Sequence, residues 1–189
     1  MKLILASASE GRKKLLSLFK IPFKAIPSII NEEEIMGKTP LETLQLRAKK
    51  KGEDIAKRID STSYLILSAD SGAIVGNELI GKPKNHDDAK RILQKLSGTT
   101  HEFITAIYAV TRDKAWETYE KTFVTFRKLS DNDIRHYLSI TDYTQYAGGY
   151  ALFASPQDFV IKTEGSLSNV IGLPLEKIVP ILKENKLVQ

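Results

Sequence analysis

The stretch from Tyr64 to Pro83, YLILSADSGAIVGNELIGKP, constrains the fold more than any other part of the chain. It opens with an apolar run, Tyr64 to Leu67, whose length suits a buried strand and not a helix. That strand is expected to stop at Asp70, with Ser71 and Gly72 after it and a second short apolar segment from Ala73 to Val75. Gly76-Asn77 is a turn dipeptide, so the second segment should pair beyond it in a hairpin that closes at Lys82-Pro83. A carboxylate at the mouth of a buried strand, with a lysine returned near it, suits a metal–phosphate site. The carboxylate holds a hard cation such as Mg²⁺ and the lysine neutralises phosphate oxygens. The same residues also read as a turn-capping Asp70 and a solvated Lys82.

The segments on either side alternate between strand and helix. Residues 2–6 read as a first strand, and Ser9 offers an N-cap for a helix over about 10–20. A strand-to-helix turn carrying Ser7, Ser9 and unpaired backbone N–H groups is a ready anion site. Arg12 and Lys13 place positive charge in the first helical turn, against the helix dipole, which a bound phosphate would explain; plain surface placement explains it equally. Ile21 to Ile30 reads as extended, with Pro22 and Pro27 marking an edge or irregular strand, and it ends in the acidic run Glu32-Glu33-Glu34. Thr39-Pro40-Leu41-Glu42 is a strong helix start, and Leu41, Leu44, Ala48, Ile55 and Ile59 line one face of that helix. The run Lys49-Lys50-Lys51 lies within it and reads as a solvated face.

Downstream, Asn85 caps a helix over about 86–96, and two long strands, His101 to Thr111 and Ala115 to Phe126, flank a turn at 112–114. His101 suits a structural hydrogen bond, and Trp116, Tyr119, Phe123 and Phe126 suit the core or a sheet face. Ser130 with Asp133 starts a further helix, and a glycine loop at 146–150 precedes a strand around 159–161. Pro174 should occupy the first position of the last helix, and Pro180 should kink or interrupt it. Alternation through residue 100, with strands dominant afterwards, points to an α/β fold with a mixed sheet. With 189 residues and neither a repeat nor a linker, one domain over 1–189 is expected, with room for two small lobes and a cleft.

Several function classes drop out. The sequence has no cysteine, which excludes a disulfide framework, a thiolate zinc site and a cysteine nucleophile, and agrees with a cytoplasmic setting. No apolar run approaches a membrane span. The glycine signatures of dinucleotide and phosphate-loop folds are missing, as are HExxH and zinc-spaced histidines. A net charge of +5 and a pI near 9.2 favour an anionic partner. Without a basic arm, zinc finger or RNA-recognition signature, nucleic acid is the less favoured one.

Taken together, five segments resemble the Maf family of nucleoside triphosphate pyrophosphatases. Leu3 to Ser9 (LILASAS) is similar to the LASxSPRR start, and Ser68-Ala69-Asp70-Ser71 to the ADT segment. Gly81-Lys82-Pro83 with Asp88-Ala89 is similar to the KP-x-x-x-x-x-A run. Leu96-Ser97-Gly98 with His101 and Thr105 is similar to LSGxxHxxxT, and Asn169 to Leu175 (NVIGLPL) to the closing VGLPL. The resemblance implies an elongated mixed β-sheet flanked by helices, in two lobes around a central cleft. It also implies a homodimer that uses a divalent metal, Mg²⁺, Mn²⁺ or Co²⁺. The reaction implied cleaves a non-standard, modified or pyrimidine nucleoside triphosphate to monophosphate and pyrophosphate. Carried over by position, Asp70 is metal ligand or base and Glu32 the second ligand; Ser7, Ser9, Arg12, Lys51 and Lys82 contact substrate, with Lys13 as partial compensation. This sequence departs from the pattern at Glu10 and Gly11, where the family has Pro-Arg, and at Tyr146 and Phe153, where it has Lys and Gln. Those departures keep open a weakened, nucleotide-binding regulator of cell division as the alternative.

Overall fold

The structure, a computed structural model, describes residues 1–59, 64–151 and 159–189. Its seven strands form one mixed sheet. β1 (Lys2–Leu5) lies between β2 (Phe23–Ala25) and β3 (Tyr64–Val75) and runs parallel to both. Beyond β3 come β5 (Thr100–Val110), β6 (Ala115–Phe126) and β7 (Val160–Glu164), each antiparallel to its neighbour. The proline-flanked segment contributes only the short edge strand β2, as its prolines suggest.

β3 does not stop at Asp70, and the reason is its neighbour. β5 pairs with it from Ile66↔Val110 to Ile74↔Glu102, so the two sequence segments are one strand with Asp70 opposite Ala106. The other edge of β3 is divided. β1 covers Tyr64 to Leu67, and the hairpin strand β4 (Glu78–Ile80) covers Ala73 to Val75. Among the described residues, 68–72 therefore have no strand beside them on that edge, and the chains leaving β1 and β4 both diverge there.

Local capping accounts for the helices. Ser9, Thr39, Asn85 and Ser130 each accept a backbone N–H at the start of α1 (Glu10–Ser17), α2 (Pro40–Arg58), α3 (His86–Leu96) and α4 (Asp131–Ile140). α1 is shorter than the expected 10–20. The short α5 (Leu167–Ile171) has no clear sequence signal and ends on Gly172 in the left-handed region. Pro174 just precedes α6 (Leu175–Glu184), and Pro180 lies inside that helix without ending it. The missing N–H falls in the second turn, where burial of Ile178, Ile181 and Leu182 holds the helix to the sheet.

Two apolar clusters share one face of the sheet. Leu3, Leu5, Leu16, Leu67 and Ile178 build the first, around β1, α1 and α6. Ala73, Leu93, Phe103, Tyr137 and Phe159 belong to the second, around α3 and α4. α2 covers the opposite face, with Leu44 and Ala48 among Ile74, Ala106 and Tyr108, and Ile55 beside Ile66. It lies close because residue 52 is glycine: a Cβ there would sit 2.5 Å from Tyr108 Cδ1 and 2.8 Å from Ser68 Oγ.

His101 is buried and makes the expected hydrogen bond, Nε2 with the Tyr150 hydroxyl at 2.8 Å, while Nδ1 has no partner among the described residues. Burial lowers its pKa to about 4. Two measurements follow. Gly52→Ala should lose about 1–3 kcal/mol in urea unfolding, because the added methyl pushes α2 off the sheet. Between the ordinary histidine pKa and about 4, the unfolded chain takes up a proton at His101 that the folded chain refuses. Stability should therefore fall as the pH is lowered through that window, by on the order of 2–3 kcal/mol from this group. Thermal melts of His101→Gln should show a shallower slope between pH 6.5 and 4 than the parent chain.

Candidate active site

The divided edge of β3 is where the chemistry gathers. Successive strand residues point to opposite faces, so Asp70 faces α2 while Ser71 faces α1 and α5. On the α2 side, Lys51 occupies a position in the buried stripe Leu44, Ala48, Gly52, Ile55. Its ammonium donates to Asp70 Oδ1 at 2.6 Å and pairs with Glu32 Oε2 at 2.7 Å. Both Lys51 and Asp70 are only 6% exposed. The run is therefore not the uniformly solvated face expected: Lys51 is buried, and only Lys49, paired with Glu117, and Lys50, paired with Glu53, are solvated. Helical periodicity turns Lys51 inward, since it lies three residues from Ala48 and four from Ile55.

Glu32 opens a single 3₁₀ turn, Glu32–Glu34, capped by Asn31. Of the three acids only Glu32 turns inward; Glu33 pairs with Lys84 and Glu34 accepts from Asn31. Burial opposes ionisation of Glu32, but the Lys51 ammonium, the hydrogen bonds from Lys51 and Asp70, and Arg12 hold its carboxyl below the usual range. For Asp70, burial and the nearby Glu32 charge prevail over Lys51 and Arg12, so its carboxyl sits above the usual range.

On the other side Arg12 is held by three acceptors. Nε donates to Gly172 O at 2.8 Å, Nη2 to Ser71 Oγ at 2.9 Å and Nη1 to Ser7 Oγ at 3.2 Å. Burial lowers its pKa while Asp70 and Glu32 raise it, and a guanidinium stays charged regardless. Lys82 follows β4 and is brought to the same place. Burial, then the like charges of Arg12 and Lys51, pull its pKa down against Glu32 and Asp70. The glycine loop is tied beside it, with Gly148 N donating to Gly81 O at 2.8 Å. Three cations thus surround two carboxylates, leaving the cluster with an excess positive charge.

Not every expected residue joins. Ser7 Oγ accepts from Ser9 N and Arg12, and Ser9 caps α1, so both hydroxyls are engaged in the turn that holds Arg12. Lys13 is not brought to the cluster; it pairs with Glu10 at 2.7 Å on the exposed side of α1. Arg12 also has a support behind it that no sequence motif marks as such. Ser71 Oγ shares a hydrogen bond with Thr105 Oγ1, which donates to the backbone oxygen of Asn169. The buried Asn169 amide donates to Phe103 O and Thr122 Oγ1, both at 2.9 Å. An asparagine heading the apolar NVIGLPL run was the available signal.

The two inward acids meet at one point, and among the described residues no group of three or more His, Cys, Asp or Glu is arranged around a metal. Two carboxylates fit a Mg²⁺-like cation, which commonly takes one or two carboxylates and completes six-fold coordination with water and phosphate oxygens.

The sequence matches the family described as Maf-like protein across residues 2–185. The chain belongs to the Maf family. Relatives include the dTTP/UTP pyrophosphatase of Aquifex aeolicus, 36% identical over 188 residues, covering 100% of this chain and 97% of that protein. The dTTP/UTP pyrophosphatase of Pyrococcus furiosus is 38% identical over 184 residues, covering 96% and 94%. The structure of the Staphylococcus aureus Ham1 protein aligns with a TM-score of 0.49 at 18% identity, over 67% of this chain and 72% of that one, too slight a likeness to build on.

Within this Maf-family chain two departures from the pattern have structural uses. Glu10 favours the positive end of α1 and occupies Lys13. Gly11 lets α1 approach α5, since a Cβ there would lie 3.1 Å from Ile171 Cγ2 and 3.2 Å from Ile171 O. Tyr146 is half-buried in the glycine loop, and Phe153 lies outside the described residues.

Arg12→Lys should keep the charge and lose the fork that clasps Gly172 and Ser71. We expect a loss of about 1–3 kcal/mol in stability and faster amide hydrogen exchange at Gly172 and Leu173, whose N–H groups bond back into α5.

Proposed function

We propose that this chain hydrolyses a pyrimidine nucleoside triphosphate, of the dTTP or UTP kind, to the monophosphate and pyrophosphate. The convergence of Glu32, Asp70, Lys51, Arg12 and Lys82 at the open edge of β3 is the observation that carries the reading. The substrate class rests on relatives named dTTP/UTP pyrophosphatase that match nearly the whole chain.

In this reading Glu32 and Asp70 hold a divalent cation, Mg²⁺, Mn²⁺ or Co²⁺. When bound it supplies Lewis acidity toward the phosphate oxygens. Arg12 and Lys82 approach the triphosphate from opposite sides of the gap, where the chains from β1 and β4 diverge, and neutralise charge on the anhydride that breaks. Water attacks the α-phosphorus, the α–β bond breaks, and pyrophosphate departs against Lys82 and Lys51. Asp70, through the oxygen left free of the cation, takes the water's proton. Lys51 is fixed by burial and Arg12 by its three acceptors, so their stabilisation is in place before the reaction. A single domain over 1–189 and a cytoplasmic homodimer belong to the same proposal. The homodimer rests on the family resemblance, the single domain on the lack of a repeat or linker, and the cytoplasmic setting on the lack of cysteine. No helix among the described residues is long and apolar enough to cross a membrane.

The test is pyrophosphate release from a panel of nucleoside triphosphates with each metal. We expect turnover of dTTP and UTP, lost with EDTA and reduced on the order of 10²-fold or more in Asp70→Asn. No release above that variant from any nucleotide would refute the proposal.

A further inference from the structure

The ammonium of Lys51 stands at the point where the two carboxylate oxygens converge, 2.6 Å from Asp70 and 2.7 Å from Glu32. That is the point a cation held by both acids would need. Lys51 is buried in the stripe by which α2 packs on the sheet, so its stem is fixed and its ammonium has little water to retreat into. A divalent ion arriving alone would have to separate the ammonium from its carboxylates and leave a buried charge without a counter-ion, which is strongly unfavourable. It would gain only two protein carboxylates in return, since no third acid or histidine joins them among the described residues. A triphosphate changes both sides of that balance. Its oxygens complete the metal's coordination and give the displaced ammonium a new anionic partner.

We propose that Lys51 is a resident stand-in for the metal, a positioning residue that excludes free divalent ions from Glu32 and Asp70 and yields the site only when nucleotide and metal arrive together. This rests on the reading of Glu32 and Asp70 as the cation-holding pair. It gives the lysine two successive partners, carboxylates in the free protein and phosphate oxygens in the loaded one. It also offsets the repulsion between the buried Asp70 carboxylate and the half-exposed Glu32 carboxylate in the empty site.

Calorimetric titration of the full-length protein with Mn²⁺ in the absence of nucleotide tests the proposal, repeated with the α,β-methylene analogue of dTTP. The parent chain should bind Mn²⁺ weakly alone and more tightly with the analogue. Lys51→Met, which keeps the stem and removes the charge, should bind Mn²⁺ alone more than about tenfold tighter than the parent and gain less from the analogue. Lys82→Met removes a charge from the same cluster without freeing either carboxylate, so it should change nucleotide-free Mn²⁺ affinity by only about two- to threefold, a long-range charge effect. Equal tightening in the two variants, or none in Lys51→Met, overturns the stand-in role. If Lys51→Met does not fold, Lys51→Gln takes its place with the same expected direction. A parent chain that binds Mn²⁺ equally well with and without the analogue also overturns it. Absence of Mn²⁺ binding in every variant, analogue present, instead removes the metal reading on which it stands.

Discussion

One buried lysine between two acids sets the terms for everything around it. Lys51 is 6% exposed, and a charge so placed is tolerated only when paired and hydrogen-bonded. It therefore dictates that Asp70 face α2 and that Glu32 turn in from its 3₁₀ turn. It also requires that α2 lie close enough for a 2.6 Å contact. Gly52, next along the helix, permits that approach, since any side chain there would strike Tyr108 and Ser68. Ser68 completes the seam by donating to Ala48 O at 2.7 Å. Helix, strand and ion cluster are thus one packing unit.

The sheet supplies the second half of the arrangement by failing to close one edge. Complete pairing of β3 to β5 keeps Asp70 and Ser71 in register, while β1 and β4 share the other edge and leave a gap between them. Each of those strands ends where a cation is needed, Arg12 beyond β1 and Lys82 beyond β4. The two apolar clusters on the far face anchor the two ends separately, the first through α1 and α6 and the second through α3 and α4. Arg12 then ties the first to the C-terminal turn through Gly172, and a chain of Ser71, Thr105 and Asn169 continues the link across β5. Strand β3 fixes Asp70, while α1, α2 and a 3₁₀ turn bring Arg12, Lys51 and Glu32 to it.

Much of this was legible in advance because it depends on local chemistry. The caps at Thr39, Asn85 and Ser130 sit one residue before their helices, as short-range hydrogen bonding requires. The hairpin at Gly76-Asn77 and the long β5–β6 pair follow from turn residues and apolar runs. The strand break placed at Asp70 was wrong for an instructive reason. A polar Ser-Ala-Asp-Ser-Gly segment looks like a loop when read alone, yet ladder bonds to β5 and the burial of its neighbours hold it extended. Lys13 and Arg12 are adjacent in sequence and seemed equivalent. A helical step of one residue sends Arg12 into the site and Lys13 to the surface beside Glu10.

By itself the sequence determined the element order, the mixed α/β class and the inventory of charges, because capping, turns and hydrophobic periodicity act over a few residues. Tertiary structure alone decided which of those charges meet. Lys49, Lys50 and Lys51 are chemically identical, and only packing of α2 against β3 and β5 buries the third between Asp70 and Glu32. Long-range pairing likewise decided that the edge of β3 stays open at residues 68–72, since that gap belongs to the relation of β1 and β4 and to neither strand alone.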